Sequence, residues 1–85
     1  MKSKFKSLST QVGGKHYDIP IQPAEYNQRN HIGWCEGNVV KYITRHGKKN
    51  GVEDIFKALH YCQMILEIEY GVVVEIRYPK IKVKK

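Results

Sequence analysis

From Val52 to Glu69, apolar residues recur every three or four positions: Ile55, Ala58, Leu59, Cys62, Ile65 and Leu66. Glu53, Lys57, His60 and Glu67 follow the opposite side. This period is α-helical and predicts a helix over about 52–69. Glu53 and Asp54 fall in its first turn, where the helix dipole favours acids. Glu53 and Lys57 are four apart, a helix-supporting ion pair. Phe56, Met64 and Ile68 widen the apolar surface beyond one stripe, which predicts contact with a second copy of the chain. A shorter helix is predicted from Cys35 or Glu36 to His46, with Val39, Val40 and Ile43 as its apolar stripe. Gly47 suits the left-handed position that ends helices, and Asn50-Gly51 is a turn dipeptide. Upstream, Pro23 suits the first position of a helix over about 23–30, followed by a turn at Gly33. From Gly71 the pattern becomes β-branched and alternating, which predicts a strand over 72–78 that Pro79 breaks or confines to an edge. The fold class is therefore mainly α: a flexible basic arm over 1–15, a three-helix domain over 16–70, and a short C-terminal β-strand with a basic tail over 71–85.

Composition narrows this picture. A chain of 85 residues, 41% hydrophobic, makes one small domain, of the size that often gains stability by self-association. No apolar run is long enough to span a membrane, and the N-terminus lacks the apolar core of a signal peptide, which together read as an intracellular protein. Cys35 and Cys62 read as reduced, buried thiols. The net charge of +7 sits in the tails. Residues 1–16 hold Lys2, Lys4, Lys6 and Lys15 and no acid, and residues 77–85 hold Arg77, Lys80, Lys82, Lys84 and Lys85. Residues 17–76 carry six basic and eight acidic side chains. Charge placed in this way points to weak, non-specific nucleic-acid contact through the tails.

The candidate chemistry lies on the second helix. Asn38, Lys41, Arg45 and Lys48 are spaced three, four and three apart and share a face. Lys41 and Arg45 repel at this spacing unless something compensates. One reading places a phosphate between them, with Arg45 offering a planar fork and Lys41 a point charge. The other pairs them with Glu53, Asp54 or Glu36 in a structural network. The segment "VGGKH" has adjacent glycines and a histidine after its lysine, so it is not a Walker loop. It either lays Lys15, His16 and Tyr17 over a ligand or serves as a plain linker. Tyr17 and Trp34, each beside a turn, are the aromatic faces suited to stacking a base. The histidines and cysteines lack paired metal-ligand spacing, so no metal site is expected. No base oriented by a third group supports nucleophilic catalysis.

Two stretches, "QVGGKHYDIPIQPAEY" and "CEGNVVKYITRHGKKNGVEDIFKALHYCQMIL", together resemble the small bacteriophage proteins of the domain of unknown function 3310 family. The shared elements are a Gly-Gly-x-His-Tyr motif, a Gln-Pro pair, a Gly-Asn-x-x-Lys-Tyr-x-x-Arg helix, a Lys-Asn-Gly turn and an acidic-led final helix. Ile55 stands where leucine is usual. The resemblance covers about residues 11–70 and implies a tailed-phage origin and a helical core. It also implies a relation to an oligomeric kinase of deoxynucleoside monophosphates that lacks a Walker motif.

The expected function is a nucleotide-binding phage protein that self-associates and acts in the host cytoplasm. Its first enzymatic reading is a nucleoside monophosphate kinase without a required cofactor. In it Arg45, Lys41 and Lys48 neutralise phosphates, Tyr17 or Trp34 stacks the base, and Asn38 and His16 orient it. One alternative is non-catalytic sequestration of a nucleotide signal of host defence. Another is a helix-turn-helix DNA-binding protein built on the second and third helices, although the acids of the third helix suit a phosphate-lined groove poorly.

Overall fold

Pro23 opens the first helix. In a computed structural model, which describes residues 6–9 and 19–80, α1 spans Pro23–Arg29, α2 spans Trp34–Arg45 and α3 spans Val52–Tyr70. A 3-10 turn at Lys6–Ser9 precedes them, tied to the body by a hydrogen bond from Gln22 Nε2 to the Leu8 carbonyl. The rest of the basic arm lies outside the described residues. The described part is mainly helical, as the period of its apolar residues requires.

Asn30 ends α1, its side-chain Nδ2 donating to the Tyr26 carbonyl at 2.9 Å. His31 then takes a left-handed conformation, φ 54°, and turns the chain into α2. Between α2 and α3 the chain runs through a 3-10 turn, His46–Lys48. Gly47 sits inside this turn without a positive φ, so it does not end α2 in the expected left-handed form. Gly51 supplies the special conformation instead. Its φ of 57° and ψ of −125° place it immediately before α3, in a region that a side chain strongly disfavours. α2 and α3 form an antiparallel hairpin: Arg45 meets Asp54 near the turn, and Tyr42 stacks on Tyr61 further along, ring centroids 5.9 Å apart. α1 packs on another side of α2.

The segment after α3 departs from expectation. Gly71, φ 66°, ends the helix. Residues 72–80 then return along α3, where Gln63 Nε2 donates to the Val74 carbonyl at 2.6 Å and the Tyr78 hydroxyl to Gln63 Oε1 at 3.1 Å. The Tyr78 ring meets Phe56 and His60 edge-on. Residues 72–78 keep the alternation of a strand: Val74 and Ile76 are half-buried, while Val73, Glu75 and Arg77 are exposed. They do not form one, because a strand is defined by a paired neighbour. Among the described residues, Val73 to Lys80 make no backbone–backbone hydrogen bond.

The packing of α3 is the second departure. Of its expected core stripe only Ala58 is fully enclosed, and no other hydrophobic residue is enclosed to that degree in α3. Ile55, Leu59 and Leu66 remain 37–39% exposed. Of the residues expected to widen the apolar surface, Phe56 and Met64 are half-buried and Ile68 is exposed. Cys35 is half-buried and Cys62 exposed, both as free thiols, so the expected burial fails for Cys62.

Candidate functional site

A cleft of about 340 Å³ opens between α1 and the start of α2, within the size range of small-molecule sites. Gly37 explains how the helices come together here. A Cβ at this position would lie 3.1 Å from Asn27 Nδ2. Without one, Asn27 reaches the α2 backbone and donates to the Gly37 carbonyl at 3.0 Å. Glycine inside a helix costs about 1 kcal/mol relative to alanine, and in return α1 approaches closely. The other amide atom, Asn27 Oδ1, is buried and accepts no hydrogen bond. Buried polar atoms are rarely left in that state.

Trp34, Asn38 and Lys41 line the same cleft. The Trp34 indole, on the first residue of α2, is 77% exposed. Asn38 is buried and donates to the Trp34 carbonyl at 2.8 Å, bracing the turn that carries the indole. Lys41 also lines the cleft, with its Nζ 4.8 Å from the centroid of the Tyr42 ring. The cleft lining therefore combines an aromatic face, a lysine and two asparagines, Asn27 and Asn38. Its described lining includes no carboxylate and no histidine.

Arg45 points into the α2–α3 seam. Its Nε donates to Asp54 Oδ2 at 3.2 Å and its Nη2 to Oδ1 at 3.3 Å, with Asp54 fully enclosed. Asp54 Oδ2 also accepts the Asn50 backbone N–H at 3.3 Å, tying the start of α3 to the turn before it. Burial pushes the Asp54 carboxyl up. The hydrogen bonds from Arg45 and Asn50 and the positive charges of Arg45 and Lys57 outweigh this and hold it below its ordinary value. The Tyr42 ring receives three cations, with Arg45 at 4.6 Å, Lys41 at 4.8 Å and Lys57 at 5.3 Å from its centroid. This electron-rich face and Asp54 compensate the repulsion between Lys41 and Arg45. Of the two readings of Arg45, the ion pair with Asp54 is formed in this structure. Glu53 bonds to Lys57 at 3.5 Å, as their spacing predicts.

A family described as a protein of unknown function, DUF3310, matches residues 13–63. The chain belongs to this family. The match contains α1, α2 and most of α3, so the cleft and the Arg45–Asp54 seam both lie within the DUF3310 region. The segment over 72–80 lies beyond it. No curated protein and no solved structure matches the chain.

The DUF3310 fold thus brings together three of the residues singled out from sequence, Trp34, Asn38 and Lys41. Arg45 is directed to α3, and Lys48 is exposed on the 3-10 turn. His16 and Tyr17 lie outside the described residues. Asn27 was not singled out, because an asparagine on a short polar helix has no distinguishing pattern. Gly37 beside Asn38 is the signal that could have found it, since a glycine within a helical pattern marks close approach. Among the described residues, no three His, Cys, Asp or Glu side chains gather as a metal site, and no helix is long and apolar enough to cross a membrane.

Proposed function

We propose that this DUF3310 protein binds a nucleotide in the α1–α2 cleft. The observation that supports this reading is the combination lining one cleft: exposed Trp34, buried Asn38 and the cationic residue Lys41. In it the base stacks on Trp34. The phosphate meets Lys41. Arg45 supports the site from behind by fixing α2 against α3, while His16, Tyr17 and Lys48 remain candidate outer contacts. The setting is a bacteriophage protein in the host cytoplasm, and the protein self-associates. The basic tails add weak, sequence-independent contact with nucleic acid.

The reaction class has two forms. A nucleoside monophosphate kinase would use Lys41 to neutralise the transferred group. In the other form the protein retains a nucleotide signal of host defence without turning it over. Trp34 is the single tryptophan of the chain, so its fluorescence reports occupancy directly. Nucleoside monophosphates should quench it. Lys41→Ala should weaken binding by about 1.5–3 kcal/mol, the range for a lost charged hydrogen bond. Incubation with a labelled nucleotide and a phosphoryl donor separates kinase from retention, and a duplex-DNA arm tests the helix-turn-helix alternative. A panel of nucleotides that changes neither the fluorescence nor the melting temperature would overturn the reading.

A further inference from the structure

We propose that two copies of this chain join across one two-fold axis, which pairs their 72–78 segments edge to edge and their α3 helices side by side. This gives an interface to the self-association proposed above and rests on that reading.

Residues 73–77 have the side-chain alternation of a strand. From Val73 on the described segment makes no backbone–backbone hydrogen bond, its Val74 carbonyl being held by Gln63; such an edge is a template for pairing with another strand. Its sequence is self-complementary. In an antiparallel register centred on Ile76, Glu75 lies opposite Arg77 of the partner subunit, and Arg77 opposite Glu75 of the partner subunit. Opposite charges directly across a strand pair stabilise it. Both side chains are exposed, and neither forms an ion pair among the described residues. The same register places Pro79, which lacks an N–H, at the end of the ribbon, where proline is tolerated.

The exposed stripe on α3 has a matching symmetry. Val52, Ile55, Leu59 and Leu66 are 37–50% exposed, and Cys62 is exposed with them. Their spacings of three, four, three and four are those of a helix–helix seam. No charge falls within the stripe, and Leu59 is its centre. Val74 is bonded to Gln63, and Tyr78 lies on Phe56 and His60. Ile76, midway between them, is therefore level with Leu59 and His60. The centre of the strand register and the centre of the helix stripe coincide along α3. One axis serves both layers, and it covers the apolar face that the single chain leaves exposed.

Charge reversal tests the register in the full-length protein. Sedimentation and native mass spectrometry of the wild type should give twice the 9.9 kDa chain mass, or an even multiple. Glu75→Arg and Arg77→Glu each set like charges opposite at two symmetry-related places, and each should raise the dissociation constant about tenfold or more. Helical circular dichroism should be unchanged. An equimolar mixture of the two variants should reassociate as a heterodimer, because each then presents the charge the other lacks. Variants that associate like the wild type would overturn the ribbon and leave self-association standing. Failure of the mixture to reassociate, or an odd-numbered wild-type assembly, would also overturn it. A wild type with the mass of one chain at every concentration would overturn both.

Discussion

At the seam of α2 and α3, Arg45 and Asp54 pair out of water. Arg45→Ala therefore leaves the buried Asp54 carboxylate with the Asn50 N–H but no guanidinium, and Asp54→Asn removes the negative charge that the guanidinium faces. Truncating one member of such a pair costs about 3–5 kcal/mol, a large fraction of the stability of a domain this small. Arg45→Ala and Asp54→Asn should therefore both lower the melting temperature sharply. Arg45→Lys should recover only part of the loss, since an ammonium cannot serve both carboxylate oxygens in the same fork. The pH dependence has a definite sign. The Asp54 carboxyl is held below its ordinary value of 3.8 in the folded chain, so the folded state binds this proton more weakly than the unfolded one. The stabilisation is complete above about pH 4–5 and is lost as pH falls through the lower folded value. Chemical denaturation from neutral pH into this acid range should show a fall in the wild type that is reduced in Asp54→Asn. Equal slopes in the two proteins would mean that other groups govern acid stability. Lys41 and Arg45, which share a face in the sequence, thus have different surroundings: Arg45 fixes the hairpin through Asp54, and Lys41 lines the cleft.

Among the elements, the three helices were legible because their signals are local: Pro23 as a first residue, the three-and-four spacing over 52–69, and the Asn50-Gly51 turn. The errors arose where a neighbour decides the outcome. Gly47 is the helix-ending glycine that the sequence suggests, but the chain continues through it into a 3-10 turn, and the positive φ falls at Gly51 of the Asn50-Gly51 turn, just before α3. The 72–78 alternation is real, yet pairing requires a second strand that local pattern cannot supply. The cleft was half legible, since Trp34, Asn38 and Lys41 share α2, while Asn27 arrives from another helix. Two substitutions separate the roles of the glycines. Gly51→Ala places a side chain at φ 57° and ψ −125° and should cost about 1–3 kcal/mol, the range for such backbone strain. Gly37→Ala meets Asn27 at 3.1 Å, gains about 1 kcal/mol of helix propensity, and pushes α1 away. Its melting temperature should change little while Trp34 quenching by nucleotides weakens. A Gly37→Ala protein that binds as the wild type does would show that α1 does not shape the site.

For the whole molecule, the main question is what supplies its core. Among the described hydrophobic residues Ala58 alone is fully enclosed, while the α3 stripe, Ile43 on α2 and Val72–Val73 beyond α3 remain at the surface. A domain of this size folds on apolar burial, and a helix hairpin with so little of it gains most by covering its exposed face with another copy. If association adds that burial to a hairpin that also folds alone, the melting temperature rises with protein concentration wherever the dimer is populated. Raising the concentration about a hundredfold contributes roughly 2.7 kcal/mol per dimer, which for about 170 residues corresponds to a rise of about 5–10 °C. The Glu75→Arg variant should melt lower than wild type at high concentration, and the two should converge on dilution as both become single chains. Differential scanning calorimetry over that range checks both expectations. A wild-type midpoint that stays constant would mean that the single chain carries its own stability, and the exposed stripe would need another explanation.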